Sequence, residues 1–163
     1  MLFPKKIANY AIGITAGKRE TTQASIHCLC GSESFELLYC GKISKKLFSR
    51  GSIICDDDEI LILEAVCTSC KKNIVLFDSR TDGYSAQIEE NSHKFVQKFP
   101  IKKYTCKKCQ CTEFKVNMRI EYSDMDEIDY DLCRADCYSW IWIDVECKQC
   151  KSRINGIVDM ETA

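Results

Sequence analysis

Four closely spaced cysteine pairs are the residues of this chain best suited to chemistry. The first half contains Cys28-Leu29-Cys30 and Cys67-Thr68-Ser69-Cys70, and the second contains Cys106-Lys107-Lys108-Cys109 and Cys147-Lys148-Gln149-Cys150. Two thiolates on one tight turn can bind the same ion, and a second turn completes the four-sulfur tetrahedron of a structural Zn²⁺ site. The pattern therefore predicts two zinc ions and eight ligands: Cys28, Cys30, Cys67, Cys70, Cys106, Cys109, Cys147 and Cys150.

The spacing leaves the metal and the first ligand open. Iron is bound by the same four thiolates, and spacing does not separate the two metals. The segment 28–30 is one residue shorter than the other pairs, and His27 lies where the repeat described below places Cys106, so His27 is a rival to Cys28. We favour Cys28, because a short turn followed by Gly31 can still direct two sulfurs to one ion.

The second cysteine pair of each half lies in a repeated segment. Residues 60–70 align with residues 140–150 without a gap, and each segment is a strand-like run followed by Cys-x-x-Cys. Self-similarity of this kind indicates a duplicated structural unit. We interpret the chain as two copies of one unit, residues 1–90, which include an N-terminal hairpin, and residues 91–163.

The first pair of each half fits the same repeat. Cys30 is followed five residues later by Phe35, and Cys109 is followed five residues later by Phe114. The stretch between the two pairs holds 36 residues in the first copy and 37 in the second. This register favours Cys109 over the nearby Cys111 as a ligand.

Strands are predicted for most of each copy. Residues 10–14 alternate between apolar and small or polar side chains, as a half-buried strand does, and 22–26 is the return strand of a hairpin. Six further strands are expected around the cysteine pairs, at residues 35–40, 60–66, 74–77, 114–122, 140–145 and 154–158. The insertions are 42–50 and 123–137, the second a candidate for a short helix because it lacks Gly and Pro, and 82–91 is the candidate linker.

This arrangement resembles the zinc-ribbon superfamily, and the resemblance covers nearly the whole chain after residue 25. The resemblance implies a mainly β fold of two tandem three-stranded antiparallel units, each holding metal between two knuckles. The stretch between the pairs is longer here than in compact ribbons. The whole sequence also resembles an uncharacterised family of small bacterial cysteine-pair proteins, and that resemblance assigns no activity.

Cysteine usage depends on the compartment. The N-terminus lacks an apolar run long enough for a signal peptide, and no window approaches a transmembrane helix, so we expect a cytoplasmic chain without a membrane partner. Cytosolic thiols stay reduced, and the total of 13 cysteines is odd, so metal binding is favoured over a disulfide framework.

The other five cysteines and the catalytic motifs indicate no active site. Cys40 and Cys55 lie in apolar stretches and are expected in the core, while Cys133 and Cys137 are spaced for packing on one helical turn, with a third metal site as the alternative. Catalytic zinc motifs and nucleophile elbows do not occur, and four-cysteine sites are closed. We therefore predict no catalytic residue and no enzyme activity.

Charge is distributed unevenly although the net charge is only −1. Residues 94–119 carry eight Lys or Arg and one acidic residue, whereas 121–146 carry nine acidic residues and one Arg. The acidic segment favours a protein-interaction module, for example an inhibitor or immunity-type protein that binds a basic partner. The alternative is nucleic-acid binding by the basic segment, whose lysines are interleaved with aromatic residues.

Overall fold

The computed structural model describes residues 2–17, 21–56, 60–88, 100–122 and 134–162. Its elements are α1 (Lys5–Ala8), β1 (Ala11–Ala16), β2 (Thr21–Ile26), β3 (Phe35–Cys40), β4 (Lys42–Ile43), a 3-10 helix (Leu47–Ser49), β5 (Ile53–Ile54), β6 (Ile62–Cys67), β7 (Asn73–Asp78), α2 (Tyr84–Ile88), β8 (Lys102–Lys103), β9 (Glu113–Glu121), β10 (Trp140–Cys147) and β11 (Arg153–Glu161). Antiparallel strands dominate, which confirms the predicted mainly β fold class.

Each copy contains a three-stranded antiparallel meander. In the first copy β6 pairs with β3 and β7, and in the second β10 pairs with β9 and β11. Side chains alternate along these strands: Ile141, Ile143 and Val145 of β10 are buried, whereas Trp140 and Trp142 lie on the opposite, more exposed face. This alternation explains why the six ribbon strands were predictable from the sequence.

The two copies join into one sheet by pairing equivalent residues. Phe35 at the start of β3 lies opposite Phe114 at the start of β9, so the copies are related by an approximate two-fold relation. The strand that precedes the first cysteine pair of each copy pairs with the other copy: β2 pairs with β9, and β8 pairs with β3. Each copy thus adds one strand to the meander of the other copy. The boundary between the copies at residues 90 and 91 stays a prediction.

The buried side of this sheet forms one core that extends across the boundary between the copies. Phe35 and Phe114 are almost fully buried, and the Tyr104 ring meets the rings of Phe114 and Tyr39 edge-on, at centroid distances of 5.5 and 6.0 Å. Cys67 and Cys147 flank the phenylalanine pair in the same row of the sheet. Three strand spacings separate these two cysteines, or about 14 Å.

The predicted linker and the two predicted insertions lie between the strands of the meanders. The candidate linker contains α2, and the 42–50 insertion begins a small hairpin in which β4 pairs with β5. Residues 123–133 of the second insertion lie outside the described residues, so the helix expected there stays a prediction. Among the described helices, none has the length and apolar character needed to cross a membrane.

Candidate metal centres

Four tight turns position the cysteine pairs. In three of them the fifth residue, Lys71, Gln110 or Lys151, has a left-handed backbone with φ near 60°, and its N–H donates to the carbonyl of the first cysteine at 2.8–3.0 Å. The turn that begins at Cys28 is shorter by one residue. There Gly31, with φ 88°, donates to the Cys28 carbonyl at 2.8 Å.

The shorter first turn still closes in the same way as the others. The Cys28 N–H donates to the Ser32 carbonyl at 2.7 Å, and the Cys67 N–H donates to the Lys72 carbonyl at 2.9 Å. Glycine tolerates positive φ without steric cost, so Gly31 permits the deletion of one residue from the turn. The Cys-x-Cys spacing therefore presents two sulfurs to the same point, as the Cys-x-x-Cys turns do.

The eight predicted ligands come together in two groups of four. Site 1 consists of Cys28, Cys30, Cys67 and Cys70, and site 2 of Cys106, Cys109, Cys147 and Cys150. All four sulfurs of a site lie within 4.8 Å of one another. The shortest contacts join the two turns, with Sγ–Sγ distances of 3.4 and 3.6 Å in site 1 and 3.6 and 3.5 Å in site 2.

These distances suit a tetrahedral ion better than a disulfide. A tetrahedron with metal–sulfur bonds of about 2.3 Å has sulfur–sulfur edges of about 3.8 Å, whereas a disulfide bond is about 2.05 Å long. The first cysteine of each turn is buried, while Cys30, Cys70 and Cys150 are exposed at the rim. Both groups could therefore hold a metal ion with four sulfurs.

Backbone donors favour the thiolate form within each site. Burial opposes ionisation of Cys67, but hydrogen bonds from the backbone N–H groups of Cys70 and Ser69 outweigh it and lower the Cys67 pKa to about 6. Burial raises the pKa of Cys28 to about 12. In site 2 burial likewise raises the pKa of Cys147 to about 12. In site 1 without metal, the Cys67 thiolate therefore lies beside the protonated Cys28 thiol, and a cation that binds four thiolates displaces protons.

Ser152 gives site 2 a hydroxyl that site 1 lacks. Its Oγ lies 3.4 Å from Cys106 Sγ and 3.1 Å from Cys150 Sγ. Burial opposes ionisation of Cys106, and the Ser152 hydrogen bond is the leading influence that lowers its pKa to about 6. The equivalent position in the first copy is Lys72. The repeat alignment pairs Ser152 with Lys72, a different residue type, so the repeat gave no reason to expect a role for Ser152.

Replacing Ser152 with alanine is expected to weaken metal binding at site 2 by about 10-fold, because groups that support ligands typically contribute 10–100-fold in affinity. Site-resolved competition with a chelator measures this loss. The matched control is Lys72→Ala, which changes the equivalent position of site 1 and should leave both affinities unchanged. Equal weakening by the two variants would contradict a specific role for the hydroxyl.

His27 and Cys111, the rival ligands, lie outside the two groups. Neither contributes a ligand atom within 4.8 Å of the other sulfurs of a site. The Cys111 sulfur instead accepts a hydrogen bond from the Glu113 N–H at 3.4 Å. The His27 N–H donates to the Tyr10 carbonyl at 2.8 Å, in line with the β1–β2 hairpin.

The remaining cysteines form no third group within the part of the chain that the structure describes. Cys40 and Cys137 are buried, and Cys55 is half-buried. The burial of Cys40 agrees with its expected place in the core. Cys133 lies outside the described residues, so the alternative of a metal site at Cys133 and Cys137 is not tested.

The His27→Ala variant is expected to keep two metal ions per chain, whereas Cys28→Ser should lose one. The reason is geometric: Cys28 Sγ lies 3.4 Å from Cys70 Sγ, and His27 is not part of the group. Metal analysis of the two purified variants measures the difference. The reverse pattern would assign the first ligand to the imidazole.

Comparisons with known proteins return no match: no family model fits the sequence, and neither the curated proteins nor the solved structures contain a significant relative. The zinc-ribbon resemblance therefore stays an interpretation of this chain's own features. These features are the two meanders, the four turns and the two four-cysteine groups.

Ion pairs that the sequence did not reveal connect the copies beside the metal sites. The Glu33 carboxylate, at the end of the first turn, accepts from Lys115 at 2.5 Å and from Lys148 at 3.4 Å. The Lys115 hydrogen bond lowers the pKa of Glu33 below its usual value. Ser34 Oγ donates to Glu113 at 2.8 Å. The pairing of β9 with both β3 and β10 brings these residues together.

Proposed function

We propose that this is a structural zinc protein in which each four-cysteine site holds one Zn²⁺ and thereby stabilises the shared sheet. The convergence of four sulfurs at 3.4–3.6 Å across two turns carries the proposal. Zn²⁺ binds structural four-sulfur sites in this geometry and performs no redox chemistry. Iron is the alternative occupant because it accepts the same ligands.

Elemental analysis of protein expressed in the cytoplasm and purified without added metal tests the proposal. We expect two zinc ions per chain, which corresponds to one per four-sulfur site. Iron as the main metal, or a chain that carries no metal, would overturn it. We also propose that the protein is no enzyme, since a zinc ion with four sulfur ligands keeps no open position for substrate.

A protein-interaction module is the role that we propose for this scaffold. Two zinc ions and eight thiolates change the formal net charge from −1 to −5, since the ions add +4 and the thiolates −8. A negative chain repels nucleic acid and attracts a basic protein. An inhibitor or immunity-type role toward such a partner fits this charge.

Nucleic-acid binding through residues 94–119 is less well supported. Within the described part of that segment, Lys103 pairs with Glu36 at 2.8 Å, and Lys115 pairs with Glu33. The Lys102 Nζ lies over the Tyr39 ring, 5.9 Å from its centroid. These cations take part in contacts of the sheet itself, which reduces what they can offer to phosphates.

Charge removal from the acidic insertion is expected to slow partner association without loss of zinc. The variant Asp124→Asn, Asp126→Asn, Glu127→Gln and Asp129→Asn removes four carboxylates that lie outside the described residues. Electrostatic steering raises association rates and is screened over about 8–10 Å at physiological salt. Pull-down from the native extract identifies the partner, and stopped-flow association at low salt measures the rate. An equally fast variant would contradict the proposal, as would retention of RNA or DNA by the wild type.

A further inference from the structure

The loop at residues 44–52 presents two apolar side chains fully to solvent. Phe48 is 101% exposed and Leu47 is 83% exposed, and we call this pair the apolar tip. They are the most exposed large apolar residues of the described chain. A single exposed apolar residue is ordinary, but an adjacent Leu and Phe with this exposure contribute nothing to the core.

A hydrogen-bonded base holds the 44–52 loop against the body of the protein. The Ser44 N–H donates to the Ser52 carbonyl at 2.8 Å, and Ser44 is 1% exposed. Ser52 Oγ donates to the Gly156 carbonyl at 2.6 Å. The Tyr104 hydroxyl donates to the Gly51 carbonyl at 3.0 Å, and both of these contacts are buried. The tip is therefore held away from the core by a formed loop.

Cations flank the apolar tip in the sequence, and we call Lys45, Lys46 and Arg50 the basic collar. All three are exposed. Residues 41–55 contain no acidic residue, and the other cation of this stretch, Lys42, pairs with Asp56 at 2.6 Å. Long basic side chains can keep their charges at a polar interface while neighbouring apolar side chains enter a less polar medium.

We propose that the 44–52 loop attaches the protein peripherally to an anionic lipid bilayer. The apolar tip enters the region below the headgroups, and the basic collar contacts the lipid phosphates. The local positive charge of residues 41–55, and not the negative net charge of the chain, faces the bilayer. Both side chains of the tip are exposed, so they can enter a deformable apolar layer without a preformed pocket. Attachment of this kind needs no membrane-spanning helix. It departs from the expectation, drawn from the sequence, of a chain without a membrane partner, and it goes beyond the interaction role proposed above.

Vesicle cosedimentation of the zinc-loaded full chain tests this proposal. We expect binding to phosphatidylcholine vesicles that contain phosphatidylserine, weaker binding to phosphatidylcholine alone, and loss of binding at high salt. The Leu47→Ser/Phe48→Ser variant should lower the partition constant on the order of 100-fold, from lost burial of two large side chains. The Lys45→Gln/Lys46→Gln variant should lower it about fivefold for each lysine.

The matched control is Ile101→Ser, which removes another exposed apolar side chain, 55% exposed, that lies outside the loop. This control should bind like the wild type, and zinc content and circular dichroism show whether each variant is folded. A Phe48→Trp variant should also shift its fluorescence to the blue on vesicles with phosphatidylserine. The proposal is overturned if the wild type binds neither vesicle, if the serine double variant binds normally, or if a protein with an acidic pocket is the only ligand of the tip.

Discussion

Replacement of Cys147 by serine is expected to release one zinc ion and to lower the stability of the entire sheet by more than about 4 kcal/mol, because losing a structural metal is among the largest single-mutation effects. Cys147 lies next to Phe114 in the row that joins the copies, and Phe114 is paired in turn with Phe35. Thermal or denaturant unfolding with parallel zinc analysis measures the effect. Damage to site 2 should therefore reach β3 and β2 of the first copy.

The control for this experiment is Cys111→Ser, which alters a neighbouring thiol that lies outside site 2. It should retain two ions and unfold near the wild-type midpoint. Unfolding of Cys147→Ser should remain one cooperative transition, since β2 pairs with β9 and β8 pairs with β3. Two separate transitions, with the first copy unaffected, would instead support independent units divided at residues 90 and 91.

Removal of metal by a chelator is expected to unfold the protein, and acidification should make removal easier. Metal binding needs thiolates, so protons compete with the ion. Bound metal lowers the pKa of the ligand thiols in the folded protein below their pKa in the unfolded chain. The stability that these thiols supply is therefore present at high pH and is lost as the pH falls. Burial raises the pKa of Cys28 and Cys147 to about 12 without metal, so an ion that binds these two groups as thiolates must displace their protons.

Circular dichroism during titration with a chelator, at neutral and at mildly acidic pH, measures this dependence. We expect less chelator to be needed at the lower pH, and addition of equimolar Zn²⁺ at neutral pH should restore the strand signal. A chain that keeps its sheet after all metal has been removed would show that packing alone stabilises the fold, and the structural role of zinc would be wrong.

The predictable part of this molecule is local in sequence. Alternating side chains mark β10, and the register of Phe35 after Cys30 and of Phe114 after Cys109 favours Cys109 over Cys111 as a ligand. Both signals depend on residues a few positions apart, and both occur in each copy of the repeated unit. For this reason the strands and the cysteine groups of the structure agree with the sequence interpretation.

The unpredicted part depends on which strand edges meet. Alternation shows that β2 has a buried side, but it does not show that β2 pairs with β9 of the opposite copy. The two exposed lysines of β8 carry no such signal, so its pairing with β3 required the structure. The hydrogen bonds of Ser152 to two sulfurs and the pairing of Glu33 with Lys115 follow from tertiary packing. The exposure of Phe48 also required the structure, because Leu-Phe in an insertion is equally compatible with burial.

X-ray absorption at the zinc edge tests whether each ion is bound by four cysteine sulfurs, because it reports the atoms bound to the metal in the intact protein. We expect four sulfur ligands at about 2.3 Å from zinc, averaged over two ions per chain. A nitrogen or oxygen ligand would contradict the all-cysteine ligand set of Cys28, Cys30, Cys67 and Cys70 or of its counterpart in the second copy.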